Sequence, residues 1–215
     1  MKGLNLYAGA GGNRKLWTDI NVTAIEWDQD IADIYQGLYQ DDEVIVTDAH
    51  DFLLDNYQDF DFIWSSPPCP THSHTNRFLH PQGVKRYPDM KLYEEIIILK
   101  QWATCPWVVE NVNSYYAPLI KPISIGRHYF WSNFRITPFR IPDTGLSVIN
   151  TRESTRRSKQ EHLKSLQEYH GIDTDNLQAL KNCVYPPLGQ HILNCARGNT
   201  QQPLFTRDET KLRTK

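Results

Sequence analysis

Five short apolar runs alternate with helical patterns along this chain, and this alternation restricts its possible folds more than any other feature. The runs are KGLNLYAG, VTAIEWD, EVIVTD, FDFIWSSPP and WVVENV, and each reads as a buried strand that ends in small or polar residues. Helical patterns over residues 30–39 and 89–103 lie between them. Strand and helix in alternation predict an α/β fold with a doubly wound, mostly parallel sheet.

Length and cysteine content add further limits. The 215 residues suffice for one sizeable core. No apolar run approaches the roughly 20 residues that cross a bilayer, and the first residues show no signal-peptide cleavage pattern. The four cysteines form no CxxC pair, which argues against a disulfide scaffold and a zinc ribbon. We therefore expect a soluble, cytoplasmic protein with reduced thiols and no membrane partner.

Ligands bind beyond the carboxyl ends of the strands in sheets of this type. The first such end is a glycine-rich turn at residues 7–12, a feature shared by nicotinamide, flavin and S-adenosylmethionine proteins. At the next two ends, Glu26 would accept from ribose hydroxyls, Trp27 would stack on an adenine, and Asp48 would accept from the adenine amino group. Alternatively, Glu26 and Asp48 cap helices and Trp27 belongs to the core.

Cys69 follows Pro67 and Pro68 directly after the fourth predicted strand. The prolines hold the backbone extended, so the loop would present the thiol to a bound ligand as a nucleophile. A zinc site at Cys69, His72 and His74 is an alternative. Structural zinc takes four ligands in recognisable pairs, however, and the sequence contains no second pair. We expect no metal.

Glu110 lies within the fifth apolar run, WVVENV. Burial there would raise the pKa of its carboxyl group, so that the acid could donate a proton to a ring nitrogen. A thiol and a protonated acid at one cavity suit nucleophilic addition to a heteroaromatic base. The alternative is a capped or ion-paired glutamate with a structural role.

These motifs, in this order, resemble those of the DNA (cytosine-5)-methyltransferase family. The segments that carry the resemblance cover most of the chain and are LNLYAGAGG, EWD, TDAHDF, SSPPCPTHS, WVVENV, GRHYF and LKNCVYPPLGQHI. The resemblance implies a Rossmann-like sheet of the S-adenosylmethionine-dependent methyltransferase type. It also implies transfer of a methyl group from S-adenosylmethionine to carbon 5 of a flipped cytosine in DNA.

The resemblance assigns roles to individual residues. Cys69 would add to carbon 6 of the cytosine, Glu110 would protonate nitrogen 3, and Arg127 would fix the base and its phosphate. Asn111 would brace the nucleophile loop. The residues that would hold the cofactor are Tyr7, Gly9, Gly11, Glu26, Trp27, Asp48, Pro67 and Asn182.

The chain departs from the family pattern at three places. Proline follows Cys69 where the family has glutamine, and Tyr129 stands where a second arginine is usual. The region between the arginine motif and the closing motif is short. We predict a core over residues 1–134, a basic target-recognition segment over 135–181, with a helix at 159–169, and a return to the core over 182–215. The residues of this segment that would bind nucleic acid are Arg152, Arg156, Arg157 and Lys159.

The resemblance leaves alternatives open. The same chemistry on RNA is one, and a non-catalytic protein that binds cofactor and nucleic acid is another. The expected partner is double-stranded DNA, and the expected assembly is a monomer or a homodimer. Compact chains of this kind are similar to phage enzymes, so restriction protection in a host cytoplasm is one expected setting.

Overall fold

A computed structural model describes residues 1–142 and 158–198 as a seven-stranded sheet with helices on both faces. The strands are β1 (Lys2–Leu6), β2 (Asn21–Glu26), β3 (Glu43–Val46), β4 (Phe62–Ser65), β5 (Trp107–Val112), β6 (Ile123–Ile125) and β7 (His128–Ser132). The helices are α1 (Gln29–Leu38), α2 (Ala49–Asn56), α3 (Asn76–Leu79), α4 (Lys91–Trp102), α5 (Lys159–His170), α6 (Leu177–Asn182) and α7 (Pro186–Ala196). Two single 3₁₀ turns, Tyr57–Asp59 and His80–Gln82, complete the regular structure of the described ranges.

The strand order is β3-β2-β1-β4-β5-β7-β6. The first five strands in this order pair in parallel, whereas β7 runs antiparallel to both β5 and β6. The α/β fold with a doubly wound, mostly parallel sheet is thus confirmed. The chain reverses its direction of winding between β1 and β4, which opens a crevice at the carboxyl ends of these strands.

Alternate residues of the central strands face opposite sides of the sheet, and both sides are buried. Phe62 and Trp64 of β4 pack with α7 in one apolar cluster, whereas Ile63 packs with α2 and α4 in another. This two-sided burial explains why the central strands read as nearly continuous apolar runs. Because both faces are covered by helices, ligands have access mainly at the strand ends.

The third strand corrects one expectation. All five predicted strands are present, but β3 is not buried: both its end residues are exposed, and Val46 is 42% exposed. The reason is its position at the edge of the sheet, where it pairs only with β2. An apolar run alone does not distinguish an edge strand from a central one.

The predicted helices over residues 30–39, 89–103 and 159–169 are confirmed as α1, α4 and α5. Leu166 of α5 packs in a third apolar cluster with Ala10 of the glycine-rich turn and Leu180 of α6. Helices α5 and α6 therefore pack against the glycine-rich turn that follows β1. Within the described ranges, no helix is long and apolar enough to cross a membrane.

Candidate active site

A cavity of about 510 Å³ opens at the carboxyl ends of β1, β2, β4 and β5. It brings together the three residues predicted to carry the chemistry: Cys69, Glu110 and Arg127. It also brings together six of the residues predicted to hold a cofactor: Tyr7, Gly9, Glu26, Trp27, Pro67 and Asn182. These residues are far apart in sequence and meet because parallel strands present their carboxyl ends at one edge.

The glycine-rich turn supplies bare backbone to this cavity. Tyr7 and Gly9 both adopt left-handed backbone conformations, with φ angles of 56° and 55°. Gly11 does not line the cavity, and an added Cβ would lie 2.3 Å from the Tyr39 ring. Its small size lets α1 pack against the turn. Gly12, which belongs to the predicted turn but was not among the residues expected to hold the cofactor, lines the cavity.

Glu26, at the end of β2, is held by backbone amides around its carboxylate. Its Oε2 accepts from the Gly9 amide at 2.9 Å, and its Oε1 accepts from the Trp27 and Asp28 amides at 2.9 and 3.1 Å. The neighbouring Trp27 side chain is 80% exposed, so it is not a core residue. An exposed indole at the edge of a cavity is available to stack on a planar ligand.

Asp48 lies outside the main cavity and caps α2. Its carboxylate accepts from the amides of His50 and Asp51, and these bonds lower its pKa. It also lines a smaller neighbouring cavity of about 130 Å³, together with Tyr7, Pro67 and Leu92. Asp48 therefore caps a helix, as the alternative interpretation predicted. Its position at the smaller cavity is also compatible with a contact to a ligand. Leu92 of α4 was missed because it reads as an ordinary core residue of an amphipathic helix.

The loop that carries Cys69 is held at several points. Asn111 Nδ2 of β5 donates to the Pro67 carbonyl at 2.9 Å, which confirms the predicted bracing contact. The Cys69 carbonyl accepts from the amides of His72 and Ser73 at 3.0 and 3.1 Å. Cys69 itself is a free, partly buried cysteine that lines the cavity, and the thiol is not packed into the hydrophobic core.

The electrostatic surroundings keep the Cys69 thiol protonated at rest. Burial raises the pKa of the thiol, and the nearby Glu110 carboxylate raises it further, whereas the positive charge of Arg127 lowers it. Arg127 would therefore stabilise a thiolate once the proton has left. The arginine is partly buried, and its Nη2 donates to the Lys181 carbonyl at 3.1 Å, which ties it to α6.

Glu110 is a buried acid, as its position within WVVENV predicted. Desolvation raises its pKa to about 7, against opposing contributions from a hydrogen bond with Ser66 and the charge of Arg127. His128 Nε2 lies 3.7 Å from Glu110 Oε1, and burial lowers the pKa of this histidine to about 3. The imidazole is therefore neutral near pH 7 and does not draw the proton from Glu110.

Tyr129, the departure from the arginine motif, does not face this cavity. It packs on the opposite face of the sheet, with its ring centroid 6.0 Å from that of Trp131. Adjacent residues of a strand point to opposite faces, so His128 and not Tyr129 reaches the cavity. Sequence reasoning missed His128, because no motif or spacing in the sequence assigns a role to a histidine at this position.

The two histidines near Cys69 lie in different surroundings. His72 is buried with Nδ1 2.6 Å from the Tyr116 hydroxyl, whereas His74 is exposed. In residues 1–142 and 158–198, no group of three or more His, Cys, Asp or Glu side chains is placed to hold a metal ion.

Of the four residues predicted to bind nucleic acid, only Lys159 lies within the described residues. Arg152, Arg156 and Arg157 lie outside the described residues. Lys159 is exposed in the first turn of α5. A second exposed basic group, which no sequence pattern had indicated, follows the nucleophile loop: Arg77, Lys85 and Arg86. Arg86 lines the main cavity.

Comparison with known proteins agrees with this geometry. Residues 1–116 match the family model of the C-5 cytosine-specific DNA methylases. The methyltransferase EhMeth of Entamoeba histolytica has a similar structure, with 12% identity, a TM-score of 0.57 and coverage of 93% of this chain and 98% of that chain. Because the identity is this low, the likeness shows a shared fold only.

Two further structures are similar over smaller parts. An S-adenosylmethionine-dependent methyltransferase from Agrobacterium tumefaciens is 16% identical over 54% of this chain and 40% of that chain, with a TM-score of 0.40. A DNMT2 variant from Spodoptera frugiperda is 21% identical over 52% of this chain and 35% of that chain, with a TM-score of 0.36. No curated protein matches the sequence.

Proposed function

Because the chain belongs to the C-5 cytosine-specific DNA methylase family, we propose that it methylates carbon 5 of cytosine in DNA through a covalent adduct on Cys69. The methyl donor would be S-adenosylmethionine. One observation carries the proposal: a thiol, a carboxylic acid with a pKa of about 7 and a partly buried guanidinium line the same cavity. That set supplies a nucleophile, a proton donor and a positive charge for one planar base.

The cofactor side of the cavity fits S-adenosylmethionine. The exposed Trp27 ring offers a stacking face, and Glu26 offers a carboxylate whose three amide contacts leave room for a further donor. Tyr7, Pro67 and Asp48 would form the second, smaller pocket. Asn182, at the end of α6, also lines the main cavity, and Gly9 contributes backbone without a side chain. When bound, the cofactor supplies an electrophilic methyl group on a sulfonium centre.

Cys69 and Glu110 would act together on the cytosine ring. The thiol loses its proton to solvent at the cavity mouth, and the thiolate bonds to carbon 6. The displaced electrons reach nitrogen 3, which takes the proton of Glu110, so carbon 5 becomes nucleophilic enough to accept a methyl group. Arg127 would stabilise the thiolate and hold the base. Neutral His128 leaves the proton on Glu110 available for transfer.

The same residues would then release the product. Carbon 5 loses its proton to solvent, and the electrons of that bond re-form the double bond to carbon 6. The bond between Sγ and carbon 6 breaks and returns its electrons to sulfur. Nitrogen 3 returns its proton to Glu110, and the released thiolate takes up a proton from solvent. Two protons leave and one returns, so one proton is released per methyl group transferred, and Cys69 and Glu110 regain their starting states.

The nucleic acid would approach the basic rim of the cavity. Arg86 lines the main cavity, and Arg77 and Lys85 are exposed in the same segment. These three residues would form the described part of the rim, and Lys159 would add a charge from α5. We propose that Arg152, Arg156 and Arg157 extend it. We also retain the proposed division into a core at 1–134, a recognition segment at 135–181 and a return at 182–215.

Covalent trapping tests the proposed reaction. DNA with cytosine fluorinated at carbon 5 cannot lose the proton that release requires, so the native chain should form a stable adduct in the presence of S-adenosylmethionine. Cys69→Ala should form none. Cys105→Ala is the matched control because its thiol lies outside the cavity, and it should trap as the native chain does.

The substrate arms of the same experiment separate the alternatives. Matched DNA and tRNA-type substrates, each with the fluorinated base, should give the adduct with DNA alone. An adduct only with RNA would overturn the DNA assignment and retain the chemistry. If neither substrate gives an adduct while the native chain binds the cofactor, the protein is not the proposed enzyme.

A further inference from the structure

Another buried carboxylate, Glu95 of α4, is hydrogen-bonded by three side chains. It has no exposed surface. The Tyr7 hydroxyl donates to Oε1 at 2.6 Å, the Ser65 hydroxyl donates to Oε2 at 2.6 Å, and His50 Nδ1 lies 3.1 Å from Oε1. A buried carboxylate is very unfavourable unless donors replace its hydration. Glu95 therefore holds these three side chains, and they in turn make its burial possible.

The three partners come from three different segments at the carboxyl edge of the sheet. Tyr7 follows β1 and begins the glycine-rich turn. Ser65 ends β4, four residues before Cys69. His50 lies in the first turn of α2, and its amide donates to Asp48 at 2.9 Å. One side chain thus joins the turn proposed for the cofactor, the strand that leads to the nucleophile and the helix that Asp48 caps.

The backbone of Tyr7 shows why this anchor matters. Its φ of 56° lies in the left-handed region, where Cβ comes too close to the following carbonyl oxygen, so this conformation is unfavourable for any residue with a side chain. The hydroxyl bond to Glu95 is one interaction that holds this conformation. Without it, the tyrosine could relax toward an ordinary conformation and shift the turn that follows.

We propose that Glu95 is a positioning residue for methyl transfer. By holding its three partners, it fixes the glycine-rich turn relative to the loop that carries Cys69. This inference rests on the proposed function, because it concerns the separation between a bound methyl donor and the activated base. Glu95 lines neither cavity, so it would act through Tyr7 and Ser65 and not by contact with a ligand.

Cofactor binding to the full chain provides the first test. Glu95→Gln keeps the size of the side chain but removes its charge and replaces one acceptor with an amide donor. We expect roughly tenfold weaker binding of S-adenosylmethionine by titration calorimetry, which corresponds to the loss of one hydrogen bond to a charged group. Glu94→Gln is the matched control: Glu94 also lies near His50, at 3.6 Å, but its side chain is 56% exposed. That variant should bind within about twofold of the native chain.

Steady-state kinetics separate positioning from stability. If Glu95 sets the distance between the glycine-rich turn and the Cys69 loop, both should shift in Glu95→Gln. The kcat of this variant should then remain reduced even when S-adenosylmethionine is saturating. A merely structural role would lower the melting temperature but leave the dissociation constant and kcat unchanged well below that temperature. Unchanged binding and an unchanged kcat in folded Glu95→Gln would overturn the proposal.

Tyr7→Phe keeps the proposal testable if Glu95→Gln does not fold. The phenylalanine removes one donor and leaves the other two partners of Glu95 in place. We expect weaker cofactor binding here too, and the double variant should lose less affinity than the sum of the two single losses. Native affinity in folded Tyr7→Phe would contradict the proposed route through the turn.

The outcome for the native chain distinguishes the two proposals. If the native chain binds no S-adenosylmethionine, the proposed function fails and the role of Glu95 fails with it. If the native chain binds the cofactor and forms the fluorocytosine adduct, while Glu95→Gln behaves as Glu94→Gln does, only the positioning role is wrong.

Discussion

At the scale of single residues, two buried glutamates have different surroundings and therefore different uses. Glu95 accepts from Tyr7 and Ser65 and contacts His50, which compensates the loss of water around a carboxylate. Glu110 has fewer such donors, so desolvation raises its pKa to about 7. A carboxyl group that stays protonated near neutral pH can donate a proton, whereas one surrounded by donors serves as a fixed acceptor.

The raised pKa of Glu110 predicts a pH-dependent loss of stability. Its pKa increases from 4.5 to about 7 on folding, so the native state binds more protons than the unfolded state between these values. The stability associated with the protonated acid is fully present below pH 4.5 and is lost as pH rises through about 7. Glu110→Gln should therefore be more stable than the native chain at pH 8 by roughly 3 kcal/mol. Denaturant unfolding at a series of pH values measures this difference, and an equal difference at pH 4.5 and pH 8 would contradict the desolvation argument.

The raised pKa of His50 also predicts that stability falls with pH, but here the cause is an ion pair and not desolvation. Its hydrogen bond to Glu95 raises its pKa, with further contributions from Glu94 and, in the other direction, from burial and Lys91. The stabilising contribution is fully present below the unfolded value of 6.5 and is lost as pH rises through the raised value. The free energy of unfolding of His50→Gln should be lower than that of the native chain, and the difference should be largest below pH 6.5. The difference should shrink as pH rises above that value. A deficit that grows with pH would rule out a protonated histidine at this position.

At the scale of secondary structure elements, α7 and the residues just before it pack against the glycine-rich turn and the residue that follows it. Gly189 of α7 packs against the backbone of Asn13, and its carbonyl accepts from Trp17 Nε1 at 3.1 Å. Gly12 packs in the same way against the carbonyl of Val184. Both contacts place backbone against backbone, with no space for a side chain. The closing part of the chain therefore supports the turn that would receive the cofactor.

Two glycine substitutions should have opposite effects on stability. A Cβ at Gly189 would lie 2.2 Å from the Asn13 carbonyl oxygen, so Gly189→Ala should lower the free energy of unfolding by roughly 2 kcal/mol or more. Gly37 lies in α1 with nothing within 4 Å of an added Cβ. Gly37→Ala should raise the free energy of unfolding by about 0.5–1 kcal/mol, because alanine favours the helix. Thermal unfolding of both variants checks the pair, and a neutral Gly189→Ala would argue against the tight contact.

At the scale of the whole molecule, charge is distributed unevenly although the net charge is only -2. Arg77, Lys85 and Arg86, the described part of the proposed basic rim, are exposed, and Arg86 lines the main cavity, while the strands and helices of the first part of the sheet carry mostly acidic groups. Tyr115 holds the rim in place: its carbonyl accepts from Arg77, and its hydroxyl donates to the Arg86 carbonyl. A polyanion would therefore be attracted to one side of the molecule.

The salt dependence of DNA binding tests this arrangement. Arg77→Ala combined with Arg86→Ala should weaken binding and make the slope of log affinity against log salt shallower by about 0.9 for each phosphate that the variant no longer neutralises. Lys100→Ala is a suitable control, because Lys100 is exposed at the end of α4 and lines neither of the two cavities at the strand ends. Arg156→Ala with Arg157→Ala tests the basic segment separately. An unchanged slope in either double variant would remove those residues from the interface.

Local pattern was enough to predict much of this protein. The spacing of apolar residues predicted the five parallel strands and helices α1, α4 and α5. The order of the motifs indicated the family, and the strand ends indicated where Cys69, Glu110 and Glu26 would meet. These features follow from periodicity and chain order, which the sequence contains directly.

Only the tertiary structure decided how those residues are used. The exposure of β3, the inaccessible position of Gly11 and the face taken by Tyr129 depend on which elements pack together. The three donors around Glu95 come from residues 7, 50 and 65, and no local pattern joins them. Burial and hydrogen bonding are properties of the assembled core, so the different surroundings of Glu95 and Glu110 arise only when distant segments meet.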